Sequence, residues 1–210
     1  MKVLIATRNR GKLREYADLL ADLTAGGQPI EWVSLADLGI EREVEETGTT
    51  FEENARLKAT AYARESGLLT LADDSGLEVD ALGGAPGVHS ARYGGPELDD
   101  EGRYRLLLEA LKGVPEGKRS ARFRCVVAIT TPEGELHTAE GTCEGRIARE
   151  PKGEHGFGYD PVFVVEEYGR TMAELGPEIK NRISHRARAL EAIRPVLATL
   201  LVRHAEESDD

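Results

Sequence analysis

The chain has 210 residues and a formal charge of −11, with 40% hydrophobic and 31% charged residues. That length is enough to bury a core of its own, in one domain or two closely packed lobes. An acidic surface disfavours a nucleic acid polymer, whose phosphates need a basic one, and no run of about 18 apolar residues points to a membrane span. The opening stretch MKVLIATRNRGK turns polar at once and has no small-residue cleavage site, so it does not read as a signal peptide. A cytoplasmic location with no membrane partner is expected. Cys125 and Cys143 lie far apart without a CxxC or a histidine spacing, which fits buried thiols better than a disulfide framework or a zinc site. Arginine outnumbers lysine 20 to 7, Gln28 is the only glutamine and asparagine occurs three times. Few thermolabile amides suit a thermophile, although high genomic GC also favours arginine.

In chain order, KVLIAT (2–7) reads as a buried strand, and GKLREYADLLADL (11–23) carries leucines at helical spacing. EWVSL (31–35) is a second strand, followed by an acidic loop and a helix over 51–66 capped by Thr49 or Thr50. GLLTLADD returns to a strand that is expected to end at Asp73 and Asp74 and dissolve into a glycine loop. ELDDEGRYRLLLEALKG is a helix stopped by Gly113. ARFRCVVAITT and LHTAEGTCEGRIA form an antiparallel hairpin whose turn holds Pro132 and Gly134. A last helix is expected to begin near Pro177 and run through RALEAIRPVLATLL. Residues 1–203 form one two-lobed domain in this reading, and the acidic tail 204–210 frays. Strands alternating with helices, then a hairpin, give an α/β chain with a mixed sheet flanked by helices.

Four polar clusters carry chemistry. In TRNRGK, Thr7 and Asn9 supply a hydroxyl and an amide, Lys12 a cation, and the helix start a positive dipole end, a combination that suits phosphate. It is not a Walker A loop, because Leu13 follows the lysine. An ordinary helix cap is the plain alternative. Glu45 and Glu46 in EETG offer hard oxygen ligands to a cation, unless they are merely solvated. A carboxylate at Asp73 or Asp74 beside a metal can orient or deprotonate water, or the pair simply makes a turn. GFGYD (156–160) puts Phe157 and Tyr159 among glycines, and stacking of a base on such a face is worth roughly 1–3 kcal/mol. Lys180, His185 and Arg186 add donors near the last helix.

Together TRNRGK, EETGTTFEENARLKA, ADDSGLEVDALGGAPGVHSARYGG, GFGYDPVF and SHR closely resemble the inosine triphosphate pyrophosphatase family. The resemblance covers residues 2 to about 200. It implies an elongated mixed sheet with two lobes, a nucleotide in the cleft between them, a homodimer, and Mg2+-dependent hydrolysis of ITP, dITP and XTP to the monophosphate and pyrophosphate. It also implies roles. Thr7, Asn9 and Lys12 meet the triphosphate, with Arg8, Arg10 and Gly11 lending backbone. Glu45 is the metal-ligand glutamate, with Glu46 next door leaving the register open. Asp74 is the catalytic aspartate that also meets the metal, Ser75 a substrate contact and Asp73 a supporting acid. Phe157, Gly158, Tyr159 and Asp160 match the base-binding segment. Lys180, His185 and Arg186 match the remaining substrate contacts.

Attack of water at the α-phosphorus expels pyrophosphate, whose charge Mg2+ and Lys12 would stabilise. Hypoxanthine and xanthine carry an acceptor oxygen at position 6, to which Arg186 or a backbone N–H can donate, whereas adenine presents an amino donor there that such a group opposes. Pyrophosphatases of pyrimidine or methylated nucleotides share the strand-end acids, but GFGYD with SHR is not expected there. A non-catalytic nucleotide sensor needs only Lys12 and a helix start, which leaves the carboxylates unexplained.

Overall fold

The computed structural model describes residues 1–207. Nine strands and five helices follow in chain order: β1 (Lys2–Ile5), α1 (Arg10–Leu19), β2 (Thr24–Ala25), β3 (Gln28–Pro29), β4 (Glu31–Ser34), α2 (Phe51–Ser66), β5 (Thr70–Val79), α3 (Asp100–Ala110), β6 (Ser120–Thr130), β7 (Leu136–Ile147), β8 (Phe163–Val165), β9 (Arg170–Thr171), α4 (Met172–Ile183) and α5 (His185–Glu207). Seven strands hydrogen-bond in the order β4-β1-β5-β6-β7-β8-β9, and β2 pairs with β3 alone. The sheet is mixed, as the sequence pattern predicts: β1 runs parallel to β4 and β5, whereas β8 runs antiparallel to β7 and β9. Two compact units emerge. The first comprises Met1–Asp74, Val126–Glu140 and the chain from Ala189; the second comprises Ser75–Cys125 and Gly141–Arg188.

In the first unit, β1 reads KVLI and buries Val3, Leu4 and Ile5, the continuous apolar run of a strand covered on both faces. α1 ends at Leu19, four residues short of the expectation, because residues 24–29 form the small β2–β3 hairpin. Gly26 and Gly27 at its tip have φ of 57° and 84°, the conformation that favours glycine in a two-residue hairpin turn. Helix α2 matches its expected span. Thr50 and Glu53 close a capping box at its start and Gly67 (φ 67°) ends it in the left-handed region.

β5 corrects the expectation for the paired aspartates. The strand does not stop at Asp74 but continues to Val79, since Leu77 and Val79 keep the alternation going and are both fully buried. Asp73 and Asp74 therefore stand inside the strand. They are still presented at a rim, for a different reason: β1 pairs with β5 only through Leu4↔Thr70 and Ile5↔Leu71, and its last bond to it runs from Ala6 N to Leu71 O at 2.7 Å. The neighbour has ended before the carboxylates begin, at the carboxyl edge where open parallel sheets present ligand-binding groups.

The second unit packs Leu77, Leu107, Leu111, Phe123, Cys143, Ile147, Phe163 and Met172 into one core. Both cysteines are buried thiols outside any disulfide, and burial pushes the Cys143 thiol up to about 11. The single last helix of the sequence pattern is two helices. Gly176 (φ 74°, ψ 169°) breaks α4 internally before Pro177, and Ser184 (φ −66°, ψ 156°) ends it in extended backbone. Ser184 then caps α5, accepting from the N–H of Ala187 at 3.1 Å. Residues 204–207 of the expected tail belong to α5, and 208–210 lie outside the described residues.

Candidate active site

Residues 7–12 of the first unit link β1 to α1. Asn9 is the N-cap, its Oδ1 accepting from the N–H of Gly11 at 2.8 Å and of Lys12 at 3.1 Å, while its own N–H donates to Thr7 Oγ1 at 3.2 Å. Two of the first-turn donors expected to face phosphate are thus held by the cap. Arg8 donates to the carbonyls of Ile40 and Arg42 at 2.8 and 3.0 Å, which ties this loop to the acidic one. Arg10 is exposed at the first position of α1 and Gly11 follows it, half-buried. Lys12 reaches across to β5, where its Nζ lies 2.8 Å from Asp73 Oδ2, a carboxylate with no exposed side-chain surface.

A second lysine completes the group. Lys58 on α2 has a side chain only 14% exposed, and its Nζ lies 2.5 Å from Glu46 Oε1. Burial works against its ammonium, but Asp73, Asp74 and Glu46 outweigh that and raise its pKa above the ordinary lysine value. Asp74 shifts the other way for a carboxylate. Burial raises its pKa and Glu46 adds to the rise, while Lys58, Lys12 and the amide of Asn54 oppose it. The carboxylate that acts on Asp74 is thus Glu46. Glu45, one residue earlier, is exposed. Among the described residues no three His, Cys, Asp or Glu side chains already stand close enough to hold a metal. The donor chemistry nevertheless suits a hard divalent cation, because Glu46 and Asp74 present only carboxylate oxygens and the charge of Glu46 opposes ionisation of Asp74.

The second unit gathers the rest. Lys180 Nζ lies 2.6 Å from Asp160 Oδ2, both side chains at most 7% exposed, and 4.6 Å from the centroid of the Phe157 ring. The N–H of Phe157 donates to the same Asp160 oxygen at 3.0 Å. Arg186 stands with its guanidinium 6.0 Å from that ring and donates to Ser75 Oγ at 3.0 Å. Phe157 is half-buried and carries cations beside its face. Gly158 donates its N–H to Asp100 at 2.8 Å. Tyr159 does not offer a free aromatic face: it is 5% exposed and its hydroxyl donates to the carbonyl of Ser90 at 2.7 Å. His185 is likewise buried, stacked on Phe123 at 4.8 Å with ring planes 15° apart. Both owe their places to apolar area, which the short motifs GFGYD and SHR do not reveal.

Lys58 and Asn54 escaped the sequence pattern. The signal available was their spacing: four apart on α2 they share one face, the face that also buries Ala55 and Ala59. Two polar side chains on an alanine-lined face need partners.

Buried carboxylates neutralised by two lysines, beside a capped helix start on a parallel sheet edge, define an α/β protein suited to phosphate esters or anhydrides. Comparison with known proteins narrows this: the Ham1 family model matches residues 3–196, and the chain belongs to that family. The dITP/XTP pyrophosphatase of Desulforamulus reducens is 54% identical over 96% of this chain and 98% of its own length. That of Bacillus subtilis is 48% identical over 93% and 96%. Among solved structures, a HAM1 protein from Coxiella burnetii superposes with a TM-score of 0.84 at 44% identity, covering 95% of this chain and 99% of that one. These relatives agree with the family resemblance carried by the five sequence motifs.

Proposed function

We propose that this chain hydrolyses deaminated purine nucleoside triphosphates, ITP, dITP and XTP, at the α-phosphorus, releasing the monophosphate and pyrophosphate. The observation that carries the reading is the set of buried and half-buried acids and lysines at 12, 46, 58, 73 and 74, in a chain about half identical to proteins named dITP/XTP pyrophosphatase. The cofactor in this reading is Mg2+, with Glu46 and Asp74 as its carboxylate ligands; bound there, it supplies positive charge to the phosphates. Glu46 replaces Glu45 in this role because it is the glutamate in the field of Asp74.

Asp74 takes the proton from the attacking water. Its burial helps, because a carboxylate with a raised pKa is a stronger base once ionised. Lys12 and Lys58 exchange their carboxylate partners for phosphate oxygens and stabilise the charge that gathers on pyrophosphate. The Asn9 cap fixes the turn from which Lys12 projects. In the second unit, Phe157 offers the stacking face for the base. Lys180 and Arg186 supply donors for its 6-oxo group, with Asp160 holding Lys180 in place. The protein acts in the cytoplasm as a homodimer in this reading; among the described residues no helix is long and apolar enough to cross a membrane.

The test is hydrolysis of ITP, dITP, XTP, dUTP, ATP and GTP in water enriched with heavy oxygen, with and without magnesium. The label is expected in the monophosphates of ITP, dITP and XTP. Label in pyrophosphate means attack at the β-phosphorus and overturns the assigned bond. Orthophosphate as first product makes the chain a phosphatase, and magnesium-dependent binding without turnover makes it a nucleotide sensor.

A further inference from the structure

Asn54 is fully buried in the first turn of α2, where asparagine brings no helix propensity and an apolar side chain would pack as well. Both ends of its amide are used. Nδ2 donates to Asp74 Oδ2 at 2.9 Å, and Oδ1 accepts from the backbone N–H of Gly48 at 2.8 Å. An ionised carboxylate only accepts and a backbone N–H only donates, so one orientation of the amide alone satisfies both. Gly48 comes so close that a Cβ there would stand 2.6 Å from Asn54 Oδ1 and 2.6 Å from Glu53 Cβ. The close approach is specific to glycine.

Two residues before Gly48 stands Glu46, paired with Lys58, which lies one helical turn beyond Asn54. The helix start that carries Asn54 is itself clamped. Glu53 Oε2 accepts from the N–H of Thr49 at 2.6 Å and of Thr50 at 3.2 Å, and Thr50 Oγ1 accepts from the N–H of Glu53 at 3.1 Å. A rigid helical turn therefore holds, through one side chain, both the carboxylate on β5 and the loop that bears Glu46.

We propose that Asn54 is a positioning residue that sets the Asp74 carboxylate and the 45–48 loop in register by bridging them with a single buried amide. The inference rests on the roles assigned above to Asp74 and Glu46. It predicts that losing the bridge harms metal binding and turnover more than substrate affinity, because the misplaced groups are those around the reacting phosphate. Losing an outer partner of this kind typically weakens metal affinity or activity about 10–100-fold.

Three variants separate the two halves of the bridge. Asn54→Asp keeps the shape and the acceptor for Gly48 but sets a second carboxylate against Asp74. Asn54→Leu removes both bonds at similar size. Gly48→Ala leaves Asn54 in place and forces the loop away. Each is compared with the wild type by melting, by calorimetric titration with magnesium in the absence of nucleotide, and by kcat and KM for ITP. The expected result is a fall of about 10–100-fold in magnesium affinity, kcat or both, with KM changing far less than kcat. Wild-type magnesium affinity and kcat in a folded Asn54 variant overturn the proposal. If neither Asn54 variant folds, Gly48→Ala decides, and the same wild-type values there overturn it. A wild type that binds magnesium but turns over no ITP refutes the proposed function, and the magnesium titrations still decide the role of Asn54.

Discussion

Gly156 and Gly158 sit two residues apart in the same loop, both with positive φ, yet replacing each by alanine has very different consequences. At Gly158 (φ 60°) a Cβ meets nothing within 4 Å, so Gly158→Ala carries only the strain of a left-handed backbone, about 1–2 kcal/mol. At Gly156 (φ 80°) the same strain applies, and the Cβ would overlap Asp160 Oδ2, with the Asp160 Cγ at 3.0 Å. That oxygen accepts from Lys180 Nζ and from the Phe157 N–H, so it cannot move without opening a buried ion pair. Breaking such a pair costs about 3–5 kcal/mol. With about 2–4 °C per kcal/mol for a chain of this size, Gly158→Ala is expected to lower the melting temperature by about 2–8 °C and Gly156→Ala by about 8–28 °C. Calorimetric or circular-dichroism melts measure both. If Lys180 and Phe157 receive the base, KM for ITP also rises in Gly156→Ala and stays near wild type in Gly158→Ala. Equal melting temperatures for the two variants refute the reasoning, because the Asp160 contact is the main difference between the sites.

Glu46→Gln is expected to raise the magnesium concentration needed for turnover, whereas Glu45→Gln, at an exposed position, leaves it near wild type; the reverse outcome in a magnesium titration restores Glu45 as the ligand. Asp74→Asn should cut kcat by the roughly 10²–10⁴-fold of a lost general base, and Asp73→Asn by less. Steady-state kinetics on the matched pair decides, and a dead Asp73→Asn beside an active Asp74→Asn moves the catalytic assignment one residue back. The same Asp74→Asn change should raise the metal-free melting temperature at pH 8. Burial raises the folded-state pKa of Asp74, so its stabilising contribution is complete below the ordinary carboxylate range and is lost as pH climbs through the raised value. The advantage of the asparagine should therefore vanish near pH 3, and an advantage that grows toward acid pH contradicts the sign.

Local pattern alone determined much of this protein. The apolar run of β1, the threonine cap of α2, and the two long strands β6 and β7 are encoded within a few residues of where they act, and each is present as read. The five motifs placed the chain in its family because they are contiguous stretches. What depended on partners distant in sequence was not legible. Whether the strand through Asp73 and Asp74 stops or continues is set by Leu77 and Val79 finding a core, and the edge at which the two buried acids stand is made by the end of β1, more than sixty residues earlier. Glu46 rather than Glu45 pairs with Lys58, a difference that neighbouring glutamates in a loop do not show until the loop is folded. Tyr159 and His185 read as ligand groups from their motifs, and that both rings are buried in the folded chain was not legible there, since burying a ring gains more than leaving it in water. Asn54 is the clearest case: in the sequence it is a weak helix residue, and only the folded chain, by bringing Gly48 and Asp74 to either end of its amide, gives that choice a physical reason.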